Sequence, residues 1–235
     1  MDLILLHGAT GSSRQFDPLH SRFSAGYNLH PLNFNGHGGS TVQDEFTIPR
    51  FAAEVGEYIK QHCIHETTVM PVNVFGYSMG GYVAMYLARH SPQLVNKVVT
   101  LGTRFSWNTE VAEREIAMLN PEKIEAKVPA FAGKLAQDHG VDNWKRVLTH
   151  TAAMLGEMGE KNPLQPEDYA LIKCPCLLMV GDRDKLVPVS ETEQVYKQLG
   201  NAELAVLPST GHALEQVNPE LLSMMVNRFL QSSNK

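Results

Sequence analysis

The sequence predicts an α/β fold: a mostly parallel sheet of about six strands with helices on both faces. Three observations predict it. Short β-branched runs alternate with amphipathic stretches over the first half of the chain, which is the rhythm of parallel strands joined by crossover helices. The run Leu3–Leu6 is continuously apolar, as a central strand buried on both faces must be. Finally, the residues able to carry chemistry sit in small-residue turns just after strands, where sites on open parallel sheets form.

In order, Leu3–Leu6, Tyr27–Phe34, Val69–Phe75 and Lys97–Leu101 read as strands. Phe51, Val55, Ile59 and Cys63 recur every fourth residue behind Thr47 as a cap and Pro49 in the first turn, which predicts a helix burying one stripe. Gly80–His90 reads helical after Ser78. From about residue 103 to about 168 the alternation stops, and Glu110–Leu119, Val128–His139 and Trp144–Gly159 all read as helices. Strands return at Cys176–Val180 and Ala202–Leu207, with helices at Ser190–Leu199 and Pro219–Leu230. With no linker or repeat between them, residues 1–235 are expected to form one domain, the helical stretch at about 103–168 capping it.

Composition narrows the function classes. The chain has 235 residues, 43% hydrophobic and 19% charged, an ordinary globular balance. A net charge of -5 offers no basic face for phosphate backbones, so nucleic acid is not an expected partner. Three cysteines are too few and odd in number for a disulfide framework, and no apolar stretch nears the ~20 residues that span a bilayer. A cytoplasmic protein is expected, without membrane attachment or export signal. Oligomeric state is not legible.

Val74-Phe75-Gly76-Tyr77-Ser78-Met79-Gly80-Gly81 contains G-x-S-x-G at a strand-to-helix junction. Such a turn holds the central serine at strained angles and tolerates only small flanking residues. A serine hydroxyl needs a base, and the base needs an orienting acid. Gly181-Asp182-Arg183-Asp184 ends one late strand and Gly211-His212 follows the last. Asp184 is the expected acid, because its reach beyond Gly181 brings a carboxylate under the imidazole; Asp182 is read as a local turn-former. Acyl transfer also needs donors for the oxyanion. The Met79 N–H at a helix start supplies one, and the Ala9 N–H in the bend His7-Gly8-Ala9-Thr10-Gly11 the other.

Among ten histidines, His62 and His65 have a helical spacing but no third ligand nearby in sequence. No metal site and no cofactor are expected, and Cys174 and Cys176 read as core. Tyr77 and Tyr82 beside the elbow, with Phe105, Trp107 and Trp144 in the helical stretch, are expected to line a substrate pocket. Met118, Phe131 and Met154 are bulky candidates of the same kind. Each of the helical-stretch residues can equally serve to bury those helices.

Together these residues resemble the α/β-hydrolase superfamily nearly end to end. His7-Gly8 is similar to its oxyanion loop, Asn35-Gly36-His37-Gly38-Gly39-Ser40 to its P-G-H-G-x-S loop with Asn35 at the proline position, and Gly76–Gly80 to its nucleophile elbow. Gly181–Asp184 resembles the acid turn and Gly211-His212 the histidine loop. The resemblance implies a Ser78–Asp184–His212 triad, an oxyanion hole at Ala9 and Met79, and a helical lid inserted after the family's sixth strand. The N-terminal hairpin usual in the family is expected to be missing, since Leu3 reads as already part of the His-Gly strand. Small carboxylesterases and enol-lactonases have similar elbows. Menaquinone-pathway synthases do too, yet Tyr82 stands where they usually carry an arginine, leaving Arg14 or Arg104 as substitutes.

The expected activity is hydrolysis of a small ester, thioester or lactone through an acyl-enzyme. A lyase or carbon–carbon hydrolase is the rival reading, and a ligand receptor on the same fold a further one.

Overall fold

The computed structural model describes residues 1–23, 26–43 and 45–232. The elements run β1 (Asp2–Leu6), α1 (Asp17–Phe23), β2 (Asn28–Leu32), α2 (Ile48–His62), β3 (Ile64–His65), β4 (Thr68–Val69), β5 (Val72–Tyr77), α3 (Met79–His90) and β6 (Val95–Leu101). Then follow α4 (Thr109–Ile116), α5 (Pro121–Lys127), α6 (Pro129–His139), α7 (Trp144–Glu160), α8 (Pro166–Ala170), β7 (Cys176–Gly181), α9 (Val189–Gln198), β8 (Ala202–Leu207) and α10 (Pro219–Gln231).

Six strands form one sheet in the order β2-β1-β5-β6-β7-β8, and every pairing in it is parallel. The expected sheet of about six strands is therefore the observed one. Because side chains alternate along a strand, successive residues feed two cores. Ile4, Leu6, Val74, Val98 and Leu178 join Phe51, Val55 and Ile59 of α2 and the buried residues of α3 on one face. Leu3, Leu5, Phe75, Val99 and Met179 meet Leu19 and Phe23 of α1 and Leu222, Val226 and Phe229 of α10 on the other.

The apolar stripe of α2 drives its packing, and Thr47 starts it: the Arg50 N–H donates to Thr47 Oγ1 at 3.2 Å. Two local readings change. The expected strand from Val69 divides, because Pro71 has no N–H to donate to a ladder; β3 and β4 pair with each other in a small antiparallel hairpin and the central strand starts at Val72. Short helices α1, α5 and α8 appear where no periodicity was visible, since one or two turns carry too few apolar positions to show a period.

Between β6 and β7 the described chain is entirely helical and loop. Its helices pack on one another through Ile124, Ala132, Leu135, Trp144 and Leu148, and α7 reaches the main core through Val147, Met154, Leu155 and Met158. No helix among the described residues is long and apolar enough to cross a membrane.

Candidate active site

Ser78 lies between β5 and α3 with φ 51° and ψ -116°, the left-handed side of backbone space that L-residues avoid. The flanking glycines are required by contact. A Cβ on Gly76 would lie 2.3 Å from the Gly80 carbonyl oxygen, and one on Gly80 would lie 2.2 Å from that of Leu6. The turn is held on both sides: the Ser78 N–H donates to the Leu101 carbonyl at 2.9 Å, and Thr103 Oγ1 donates to the Ser78 carbonyl at 3.1 Å.

Asp184 and His212 come from loops after β7 and β8, and His212 Nδ1 donates to Asp184 Oδ2 at 2.8 Å. The other carboxylate oxygen, Oδ1, accepts from the Leu186 and Val187 amides, each at 2.8 Å. Burial works against ionising Asp184, yet the His212 hydrogen bond and those two amides outweigh it and hold the carboxyl below its ordinary range. Gly102, at φ 58°, leaves room beneath the pair; a Cβ there would sit 3.4 Å from both Asp184 Oδ2 and His212 Nδ1. Asp182 faces elsewhere: it accepts from the Thr210 N–H at 3.0 Å, so it ties its loop to the one after β8 rather than forming a local turn, a correction to the expectation.

Ser78 and His212 line two adjoining cavities. The inner one, about 80 Å³, is walled by Ala9, Met79, Tyr82, Trp107, Met154 and Val187 among others, with Arg104 and Glu115 as its charged members. The outer one, about 290 Å³, is bounded by Gly8, Ala9, Gln15, Tyr77, Met118 and Phe131 among others. Ala9 and Met79 thus flank Ser78. Met79 opens α3, where a helix leaves its N–H groups without intrahelical partners. Ala9 follows Gly8 in a turn closed by the Gly11 N–H donating to the Gly8 carbonyl at 3.0 Å, which leaves the Ala9 N–H outside the turn's own bond.

Side chains from outside the turn shape it. Gln15 Oε1 accepts from the Gly8 N–H at 3.1 Å, and His37 Nε2 lies 3.0 Å from the Ala9 carbonyl oxygen. His139, on α6, reaches the Thr10 carbonyl through Nε2 at 3.1 Å and accepts from the Gly38 N–H through Nδ1 at 3.2 Å. Burial drives the His37 imidazolium down to about 4, against the carbonyls of Ala9 and Asn35, which favour the charged ring. Gln15 carries no local motif and could not be found from sequence; His37 was legible only as part of a glycine-rich loop.

The expected pocket residues divide. Trp107 and Tyr82 line the inner cavity and Tyr77 the outer one. The Trp107 indole nitrogen is buried without a hydrogen-bond partner among the described residues. The Tyr82 hydroxyl bonds to Asn162 and accepts from the Leu164 N–H at 2.8 Å, so only its ring faces the cavity. Phe105 and Trp144 line neither cavity, a correction to the expectation. Phe105 is buried edge-on against Tyr169, their ring centroids 5.8 Å apart, and Trp144 belongs to the small core between α5, α6 and α7. Met154 lines the inner cavity, whereas Met118 and Phe131 line the outer.

Arg104 is the cation of the inner wall, and it is already engaged. It donates to Glu191 at 3.2 Å, to Glu115 at 3.3 Å and to the Leu186 carbonyl, with about 8% of both the Arg104 and Glu191 side chains exposed. Glu191 also accepts from the Phe105 and Ser106 amides at 2.6 and 2.9 Å. Arg14 lies apart, 59% exposed and 3.8 Å from Asp138.

A six-stranded parallel sheet layered by helices, with a strained serine at its central elbow and a hydrogen-bonded Asp–His pair at the ends of later strands, defines an α/β-hydrolase. The family model described as serine aminopeptidase, S33, matches residues 2–216, and the chain belongs to that family. Among curated relatives, 2-(acetamidomethylene)succinate hydrolase of Mesorhizobium japonicum is 24% identical, the match covering 98% of this chain and 88% of the relative. A pimeloyl-[acyl-carrier protein] methyl ester esterase of Neisseria meningitidis is 25% identical, covering 97% and 76%. NosK from Streptomyces actuosus superposes with a TM-score of 0.78 at 21% identity over 98% of this chain and 97% of that one. The enol-lactonase from Burkholderia xenovorans does so at 0.77 and 15% over 98% and 91%.

Proposed function

We propose that this protein is a serine hydrolase that cleaves a small, uncharged ester, thioester or lactone. The observation that carries the reading is the 2.8 Å Asp184–His212 hydrogen bond at the rim of the cavities that also expose Ser78. In the proposed cycle His212, oriented by Asp184, takes the Ser78 proton as Oγ attacks the carbonyl carbon. The Ala9 and Met79 amides hold the oxyanion. His212 then protonates the departing alcohol, thiol or enol oxygen, and water, deprotonated in turn by His212, releases the acid from the acyl-enzyme. Residues 1–235 act as one domain, with 103–168 as its cap.

Size and charge narrow the substrate. The inner cavity of about 80 Å³ has the volume of roughly two or three waters in the liquid, which suits a short acyl chain against Met154, Leu155 and Met158. Arg104 faces two carboxylates, so the wall holds one positive charge against two negative ones and disfavours a further anion. That argues against the rival reading in which a dianionic substrate undergoes elimination, because such a substrate needs an unmatched cation. The outer cavity, with Met118 and Phe131 partly exposed, is assigned to the leaving group.

Labelling with a fluorophosphonate followed by peptide mapping tests the reading. The adduct is expected on Ser78 and absent from Ser78→Ala; a label on another residue, or one that persists in that variant, overturns it.

A further inference from the structure

We propose that Asp2, His30 and Cys63 form a binding site for one soft divalent cation of the zinc class, at the end of the sheet opposite Ser78. The three come from three elements. Asp2 opens β1, and His30 on β2 lies opposite Ile4 in the parallel register. Since alternate residues share a face, Asp2 and Ile4 point the same way, toward the layer that holds α2. Cys63 caps the C-terminal end of α2 just after His62, and it packs in the same core as Ile4. One ligand atom from each residue lies within 4.8 Å of the others, so movements of about an ångström bring carboxylate, imidazole and sulfur to zinc distances of ~2.0–2.3 Å.

The surroundings hold these groups as a metal site requires. His30 Nε2 faces Asp2 Oδ1 at 2.8 Å while its Nδ1 is 3.0 Å from the Tyr58 hydroxyl. A ligating imidazole needs such a partner on its second nitrogen to fix ring and tautomer. The Tyr58 hydroxyl can donate to a bare Nδ1 or accept from a protonated one. With metal the proton sits on Nδ1 and donates to the tyrosine oxygen. Asn28 Nδ2 donates to Asp2 Oδ1 at 2.8 Å and fixes that carboxylate. Binding releases one proton to solvent, from the Cys63 thiol. A thiolate, an imidazole and a carboxylate together favour zinc, cobalt or cadmium over magnesium or calcium. Cys63 is 3% exposed while the Asp2 side chain is 26% exposed, so the ion enters past Asp2 and a water completes the tetrahedron there. His62 takes no part: its ring stacks on Tyr58 with centroids 4.2 Å apart, and its Nδ1 bonds to the Tyr58 carbonyl at 3.0 Å.

The test is a calorimetric titration of the full chain with zinc under reducing conditions, with cobalt absorption as a second readout. One equivalent is expected to bind, with a thiolate-to-cobalt charge-transfer band and a raised melting temperature. Cys63→Ser removes the band, and Cys63→Ser and His30→Gln each weaken zinc at least tenfold, whereas His65→Gln changes neither. Absence of the thiolate band in the unaltered protein overturns the proposal whether or not the variants fold. So does zinc affinity undiminished in both Cys63→Ser and His30→Gln.

Discussion

The Tyr77 hydroxyl donates to the backbone carbonyl of His212 at 3.1 Å, and its ring lies 5.7 Å from the imidazole, tilted by 42°. Tyr77 precedes Ser78 in the chain, so the residue that leads into the elbow also grips the histidine loop. Burial drives the phenol well above its ordinary range, and it remains a neutral donor across the working pH range. Tyr77→Phe removes this one bond, worth about 1 kcal/mol. We expect kcat to fall roughly three- to tenfold with KM little changed, in steady-state kinetics on a p-nitrophenyl ester. An unaltered kcat would show that the loop holds itself.

In the proposed cycle, Asp184→Asn keeps the shape but not the charge that would stabilise the imidazolium. Loss of kcat by about 10³- to 10⁴-fold is expected, with an unchanged circular dichroism spectrum. Asp182→Asn, by contrast, stays within about twofold of the parent rate, since an amide oxygen still caps the Thr210 N–H.

Ser78→Gly separates stability from activity. The serine sits at φ 51°, where glycine is at ease, so the variant is expected to be inactive yet more stable by about 1 kcal/mol. An upward shift of the thermal midpoint checks it, and a downward shift would mean the side chain contributes more to the fold than its backbone strain costs.

Charge selection at the inner wall is read from a matched pair of esters, p-nitrophenyl butyrate and the p-nitrophenyl monoester of succinic acid. The neutral ester is expected to have at least a tenfold higher kcat/KM, and Glu115→Gln narrows the gap by removing one of the two carboxylates facing Arg104. Removing Arg104 instead leaves Glu191 buried without its cation, at a cost of about 3–5 kcal/mol.

Acid destabilises the fold in a defined window. His37 is held at about 4 in the folded state against ~6.5 unfolded, so between these values the unfolded chain binds more protons and stability rises with pH. Going down from pH 6.5 to 4, His37 alone is expected to remove on the order of 3 kcal/mol, followed by urea unfolding at stepped pH. His37→Gln flattens that slope.

Periodicity and turn chemistry made much of the fold and part of the site legible. The strands around Leu3–Leu6 and Cys176–Val180 are continuous apolar runs, and Gly76, Gly80, Gly181 and Gly211 mark the turns from which Ser78, Asp184 and His212 arise. What was hidden depends on long-range contacts. Phe105 and Trp144 had the right chemistry for a pocket wall, but an apolar side chain serves a core equally well, and only packing decides. Nor could sequence reveal that Arg104 is shared by Glu115 and Glu191, 11 and 87 positions away, or that Gln15 steadies the bend at Gly8.

The corner where α6 passes into α7 is tied to the body by side chains. His139 spans Thr10 and Gly38, while Asn143 Nδ2 donates to the Gly36 and Ser40 carbonyls at 2.8 and 2.9 Å. These ties fasten the α6–α7 corner to the loops that follow β1 and β2. Met118 lines the outer cavity beside Ser78 whereas His139 faces the body loops, so bulk added at Met118 is expected to slow turnover more than bulk added beside His139.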